Sequence, residues 1–162
     1  MNIEPGYIVL CQGKGLLSDL IRKCTGDGPC SHAGMITSVN PDMITEALGH
    51  GVVTSKLSNV IAREQHVWVT QPPLRQEQLE AGAAAMLAMV GTPYAWGDLV
   101  LQLGDTVLDT NWLTEHWAEA SKVYCSMADA ISEPWLGLLS KSATPNDIWG
   151  LAQVQRWPME QI

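Results

Sequence analysis

Cys125 stands where a cysteine can become a nucleophile. It follows Val123-Tyr124 and precedes Ser126-Met127-Ala128, a stretch that reads as the opening of a helix over residues 125–132. A thiol attacks a carbonyl carbon only as the thiolate, and helix-start amides beside a histidine lower a cysteine pKa from about 8.5 into the range of roughly 3.5 to 7.5. The same amides can face the negative oxygen that develops when sulfur adds to an acyl carbon. The chemistry implied is acyl transfer to sulfur, then release of the acyl group to water.

The base must come from one of four histidines. His32 opens an alternating stretch and shares its face with Gly34 and Ile36, so the smallest side chain, two residues on, leaves room for a partner. In the next extended stretch Glu46 shares a face with Ile44 and Leu48, and a carboxyl group on an apolar face requires a hydrogen-bonding partner. A carboxylate on the second imidazole nitrogen fixes tautomer and orientation, the role a third group has in any Cys-His site. These residues predict a triad of Cys125, His32 and Glu46. His50 in a glycine turn, His66 beside Trp68 and His116 in an acidic stretch read as ordinary imidazoles.

Cys11 ends a strand, Cys24 lies on an apolar helical stripe and Cys30 sits in a loop, none with the arrangement of Cys125. Cys24, Cys30, His32 and His50 are zinc-type ligands, but their gaps match neither a paired C-x-x-C ribbon nor a finger. Free, packed thiols are expected, with no metal and no cofactor. Gly13-Lys14-Gly15 lacks the spacing of a phosphate-binding loop and reads as a turn.

The elements that must position these groups follow from periodicity. A strand is expected over residues 6–11. Leu16, Leu17, Leu20, Ile21 and Cys24 recur at helical spacing, with Ser18, Asp19, Arg22 and Lys23 on the other face. Alternation predicts strands over 31–39 and 43–48, separated by Asn40-Pro41-Asp42, then a turn into Val52-Val53-Thr54. Another strand over 65–70 ends at Pro72-Pro73. From 74 to 90 the stripe Leu79, Ala83, Met86, Leu87 and Val90 predicts a helix ended by Gly91. Gly82 inside it costs about 1 kcal/mol relative to Ala, so the close approach of another element is expected there. Helices are placed near 98–108 and 111–120, one over 125–132 ends at Glu133-Pro134, and Thr144-Pro145-Asn146-Asp147 starts a last short helical turn. Strands and helices without a βαβ rhythm make an α+β domain, an antiparallel sheet packed against helices.

A chain of 162 residues, 46% hydrophobic and 16% charged, suits one folded domain over residues 1–162. The Ala-rich stretch 81–91 is well short of the roughly 20 residues of a membrane-crossing helix. Met-Asn-Ile-Glu carries no secretion signal, so the default compartment is the cytoplasm. A net charge of −8 repels phosphate backbones and excludes nucleic acid as a partner. Residues 98–133, with seven acids and one lysine, carry most of that excess.

Several blocks together resemble the signature of the NlpC family, bacterial papain-like cysteine hydrolases. They are Ser31-His32-Ala33-Gly34-Met35-Ile36, Thr45-Glu46-Ala47, Gly91-Thr92-Pro93-Tyr94-Ala95-Trp96-Gly97 and Tyr124-Cys125-Ser126. In the usual members the tyrosine and cysteine blocks come first, whereas here histidine and acid precede the cysteine, so the chain resembles the circularly permuted branch. Gly6-Tyr7-Ile8-Val9-Leu10 and Thr144-Pro145-Asn146-Asp147 are similar to that branch as well.

The resemblance implies a permuted papain-like fold with Cys125 as nucleophile, His32 as general base and later acid, Glu46 as the polar third member and Tyr94 beside the substrate cleft. The chain departs from the pattern in having Tyr-Cys-Ser-Met where Asp-Cys-Ser-Gly is usual, and in a longer gap from Tyr94 to Cys125, with Trp112 and Trp117 between them. The activity implied is that of a cysteine peptidase or amidase acting on a peptide, for this family the stem peptides of bacterial cell wall, which implies either export without a signal peptide or delivery to peptidoglycan by another machine. Two alternatives stand beside it: a lipid ester hydrolase or acyltransferase with the same triad, and a binding module that kept the fold and lost the reaction.

Overall fold

The computed structural model describes residues 2–26, 28–93 and 144–162. Tyr94, His116, Cys125 and the helices expected over 98–108, 111–120 and 125–132 lie outside the described residues. Within them the chain runs β1 (Ile8–Gln12), α1 (Leu16–Cys24), β2 (His32–Val39), β3 (Asp42–Leu48), β4 (Gly51–Lys56), α2 (Leu57–Arg63), β5 (His66–Thr70), α3 (Gln76–Ala88), α4 (Pro145–Val154) and β6 (Met159–Gln161). The six strands form one sheet in the order β4-β3-β2-β1-β5-β6, every neighbouring pair antiparallel. The architecture is α+β, an antiparallel sheet with helices packed on it. Among the described residues no helix is long and apolar enough to cross a membrane.

The run Ile8-Val9-Leu10-Cys11 is apolar on both faces, which suits a strand covered on both sides, and β1 lies inside the sheet with all four side chains inaccessible. Val9 and Cys11 join Ile36, Ile44, Val67 and Val69 on one face, closed by Leu57 and Val60 of α2. Ile8, Leu10, Ala33 and Met35 point to the other, where Ala83 and Met86 of α3 and Ile148 and Ala152 of α4 cover them. Thr144 caps α4 in a reciprocal box with Asp147, and Pro145 fills the first turn, where its missing amide costs nothing.

Several expectations are corrected. Helix α2 and strand β6 were not anticipated, and α4 is a full helix rather than a single turn. A bulge between Ile36 and Ser38 breaks the alternation of β2. The amphipathic pattern of α1 is present, but Leu16, Leu17 and Leu20 face outward at 89%, 50% and 47% exposure while Ser18 is buried. Ser18 Oγ lies 2.7 Å from Ser31 Oγ and 2.9 Å from the Gly13 carbonyl, so a polar lock, not the leucine stripe, seats this helix. In α3, Leu79, Ala83 and Met86 are buried, but Leu87 near its end is exposed, as is Val90 just beyond it.

The close approach expected at Gly82 is not close. A Cβ there would meet Met35 Cε at 3.7 Å and Met35 Sδ at 3.8 Å, ordinary van der Waals distances. Because the site is helical and has room for a methyl group, Gly82→Ala is expected to stabilise the protein by about 1 kcal/mol. A urea midpoint unchanged or lowered in Gly82→Ala would refute this.

Candidate functional site

The register of the sheet sets the site. Cys11 pairs with His32 across β1 and β2, and Gly34 pairs with Glu46 across β2 and β3, so Glu46 lies one diagonal step from His32 on the same face. Long side chains reach across such a diagonal. His32 Nε2 stands 2.7 Å from Glu46 Oε2. An ionised carboxylate only accepts hydrogen bonds, so in the neutral ring the proton sits on Nε2 and the lone pair on Nδ1 is free. No hydrogen bond to Nδ1 is made among the described residues.

The room expected beside Gly34 exists, but Ile44 occupies it. A Cβ on Gly34 would stand 2.6 Å from Ile44 Cδ1, so the glycine makes room for the Ile44 side chain.

Arg63 completes the site, and the sequence reading did not include it. Its Nη2 donates to Glu46 Oε2 at 2.7 Å and its Nη1 to Oε1 at 3.2 Å, a two-pronged contact, while its Nε donates to Glu64 Oε1 at 2.6 Å. Arg63 ends α2, where the helix dipole favours a cation. The spacing of Leu57, Val60 and Ile61 at i, i+3 and i+4 was the signal that could have found this helix, with Arg63 in its last turn.

The Glu46 side chain has no solvent exposure, against 15% for His32 and 39% for Arg63. Burial works to raise the Glu46 pKa, but the hydrogen bonds and positive charge of His32 and Arg63 outweigh it and hold the acid down at about 2. Burial likewise works to lower the Arg63 pKa, and the bonds to Glu46 and Glu64 outweigh it and push it up. A carboxylate held ionised on an apolar face, bonded to the ring whose other nitrogen is free, is an arrangement suited to orienting a general base.

The cysteines separate by burial. Cys11 and Cys30 are free thiols with no exposed surface. Burial, with Glu64 and Glu46 nearby, pushes the Cys11 thiol far above its ordinary range, and burial pushes Cys30 up to about 12. Burial thus favours the protonated thiol in both, although Cys11 sits directly across from His32. Cys125 and Tyr94 lie outside the described residues. The chain enters that segment along the edge of β4, where Val52 N donates to the Thr92 carbonyl and Gly91 N to the Val52 carbonyl, each at 2.9 Å. His66 stacks at a tilt on Trp68, ring centroids 5.7 Å apart, and its Nδ1 meets Gln161 Nε2 at 3.1 Å, which fits an ordinary strand imidazole.

No family model and no curated protein matches the chain. Among solved structures it is similar to a crystal structure of the metalloprotein yiiX from Escherichia coli O157:H7 (DUF1105), at a TM-score of 0.58 and 20% sequence identity over 84% of this chain. The match spans 66% of that protein, slightly under two thirds of its length. At this identity the likeness establishes a shared fold and nothing about activity.

The folded pKa of Glu46, about 2 against an ordinary 4.5, means that its partners contribute stability that is complete above pH 4.5 and lost as pH falls through about 2. Glu46→Gln is expected to cost about 2 kcal/mol at neutral pH and to flatten the acid side of the stability curve. Urea unfolding at stepped pH measures both, and an unchanged slope below pH 4.5 would contradict the assignment.

Proposed function

We propose that the chain is a thiol hydrolase of the permuted papain-like kind, with Cys125 as nucleophile, His32 as base and then acid, Glu46 as the group that orients His32, and Tyr94 beside the cleft. The observation that carries this reading is the 2.7 Å bond from His32 Nε2 to a buried, ionised Glu46, with Nδ1 making no hydrogen bond among the described residues. The resemblance of the Tyr124-Cys125-Ser126 block to the family's nucleophile block supplies the sulfur, and the burial of Cys11 and Cys30 leaves those two unsuited to the role.

The reaction follows from these roles. His32 Nδ1 takes the Cys125 proton as sulfur bonds to the acyl carbon, and the carbonyl electrons move to oxygen. Collapse of that adduct breaks the bond to the leaving amine, which takes the proton from His32. Water then loses a proton to Nδ1 as it attacks the thioester, and the departing sulfur recovers that proton as the acid is released. The bond cleaved is a peptide amide, with bacterial cell-wall stem peptides as the class the resemblance implies.

The structural neighbour is described as a metalloprotein, but the residues around His32 do not fit a metal ion. Both Glu46 oxygens already accept from His32 and Arg63, and a guanidinium beside them repels a cation. Among the described residues no three His, Cys, Asp or Glu side chains come together as a metal site. No step here runs through a metal.

Thiol labelling tests the reading. Cys125 is expected to react with iodoacetamide at pH 6 at least tenfold faster than a free thiol, and His32→Ala to remove that advantage. Cys125→Ala is expected to abolish amide hydrolysis. Labelling at the free-thiol rate, the outcome for a binding module, would end the proposal.

One observation favours a second reading, in which the acyl donor is a lipid ester. The outward leucines of α1 form an apolar surface on a helix whose buried Ser18 touches Ser31, the residue before His32. An apolar helix face near a hydrolytic site suits a substrate presented at a lipid interface. If so, Leu16→Ser with Leu17→Ser lowers turnover of a micellar ester about tenfold and leaves a monomeric short-chain ester unaffected. Equal rates on both substrates would discard it.

A further inference from the structure

Glu46 raises a problem that His32 alone does not solve. A carboxylate with no solvent contact loses its hydration, and a single neutral donor does not replace it. Arg63 brings a charge that is permanent and a planar fork that matches the carboxylate. Its Nη1 and Nη2 reach one oxygen each, at 3.2 Å and 2.7 Å, which fixes the plane of the group as well as its charge. His32 then bonds to the same Oε2 that accepts from Nη2.

We propose that Arg63 is a positioning residue of this site, acting through Glu46: its fork sets the charge and plane of the carboxylate, and the carboxylate in turn sets the tautomer and angle of His32. The proposal rests on the reading of His32 as the acid-base group. Arg63 is itself held from two directions. Leu57 and Val60 anchor α2 on the sheet, and the Nε bond to Glu64 at 2.6 Å stops the guanidinium from turning away. Among the described residues, the titratable and charged groups around Glu46 are His32 from β2, Cys11 from β1, Arg63 from α2 and Glu64 just after it. Across β4 its neighbour is Val53, which does not titrate. Arg63 is the one permanent cation in that set.

The consequence is a site whose working range on the acid side depends on a residue that acts through Glu46. With Arg63 in place Glu46 stays ionised far into acid. Without it, desolvation dominates, Glu46 takes up a proton at milder pH, and Nε2 is no longer paired with an anion. A carboxylate no longer held by the fork also loses its fixed plane, so its grip on Nε2 loosens and the neutral ring can carry its proton at Nδ1, the wrong nitrogen for a base.

Arg63→Met keeps the stem and removes the charge, and Arg63→Lys keeps the charge and removes the fork. Carbon-13 NMR of the Glu46 carboxyl follows its titration directly and requires no substrate. The midpoint is expected to rise by about 2 units in Arg63→Met and by less in Arg63→Lys. The acid limb of the Cys125 alkylation profile is expected to move in the same direction and order, and nitrogen-15 shifts of His32 to report mixed tautomers in Arg63→Met. If Arg63→Met unfolds, the Arg63→Lys titration and tautomer signature decide the matter. A Glu46 midpoint unmoved in the folded variants would overturn the proposal. A midpoint that rises while Cys125 alkylates at the free-thiol rate would uphold the role of Arg63 and sink the thiol-hydrolase reading instead.

Discussion

An anion without access to water has to be solvated by the protein, and Glu46 imposes that requirement on everything around it. Two N–H groups of Arg63 and one of His32 take the place of its water, at 2.7 to 3.2 Å. Each donor has to arrive from a different element. His32 depends on the register between β2 and β3, and a slip of one residue would turn either side chain to the opposite face. Arg63 depends on α2 folding back over the sheet directly after β4, which Leu57 and Val60 enforce by filling the apolar face beside Ile36 and Ile44. The core and the site are thus one construction: the apolar contacts that seat α2 also deliver the guanidinium.

The parts of this arrangement legible in the sequence were those carried by period-2 alternation. His32 and Glu46 could be assigned to neighbouring strands and to inward faces because Gly34, Ile36, Ile44 and Leu48 mark those faces. Their contact followed from the need of a buried acid for a partner. Arg63 was not legible in the same way. Helix α2 has seven residues, so the spacing of Leu57, Val60 and Ile61 is one short repeat between two strands, and its N-cap side chain makes no capping bond to reinforce it. Strand β6 is three residues long and carries no apolar alternation; it is held by backbone pairing to β5, which leaves little mark on side-chain types.

Helix α1 illustrates a different limit. Amphipathicity was visible, but a pattern does not say which side turns inward. Here the small polar side chain of Ser18 is inside because Ser31 and Gly13 satisfy it, while the leucines remain in solvent. The three-way bond among Gly13, Ser18 and Ser31 ties the end of β1 to the start of β2, immediately before His32. Asn146 does comparable work from far along the chain: its Oδ1 accepts from Cys30 N and its Nδ2 donates to Thr25 Oγ1, both at 2.8 Å. The segment leading into β2 is therefore pinned from both sides, and His32 begins its strand with little freedom.

Stability alone does not account for the residues at this site. Replacing a buried ionic cluster with apolar side chains of similar volume is often neutral or stabilising by about 1 to 4 kcal/mol. A leucine at position 46 would continue the face of Ile44 and Leu48. What the acid and the arginine supply, and leucine cannot, is direction. They hold an imidazole by one nitrogen at the rim of the sheet, with 15% of its side chain still open, and leave its other nitrogen free. An interaction that costs desolvation and returns orientation suits an imidazole whose proposed task is moving a proton.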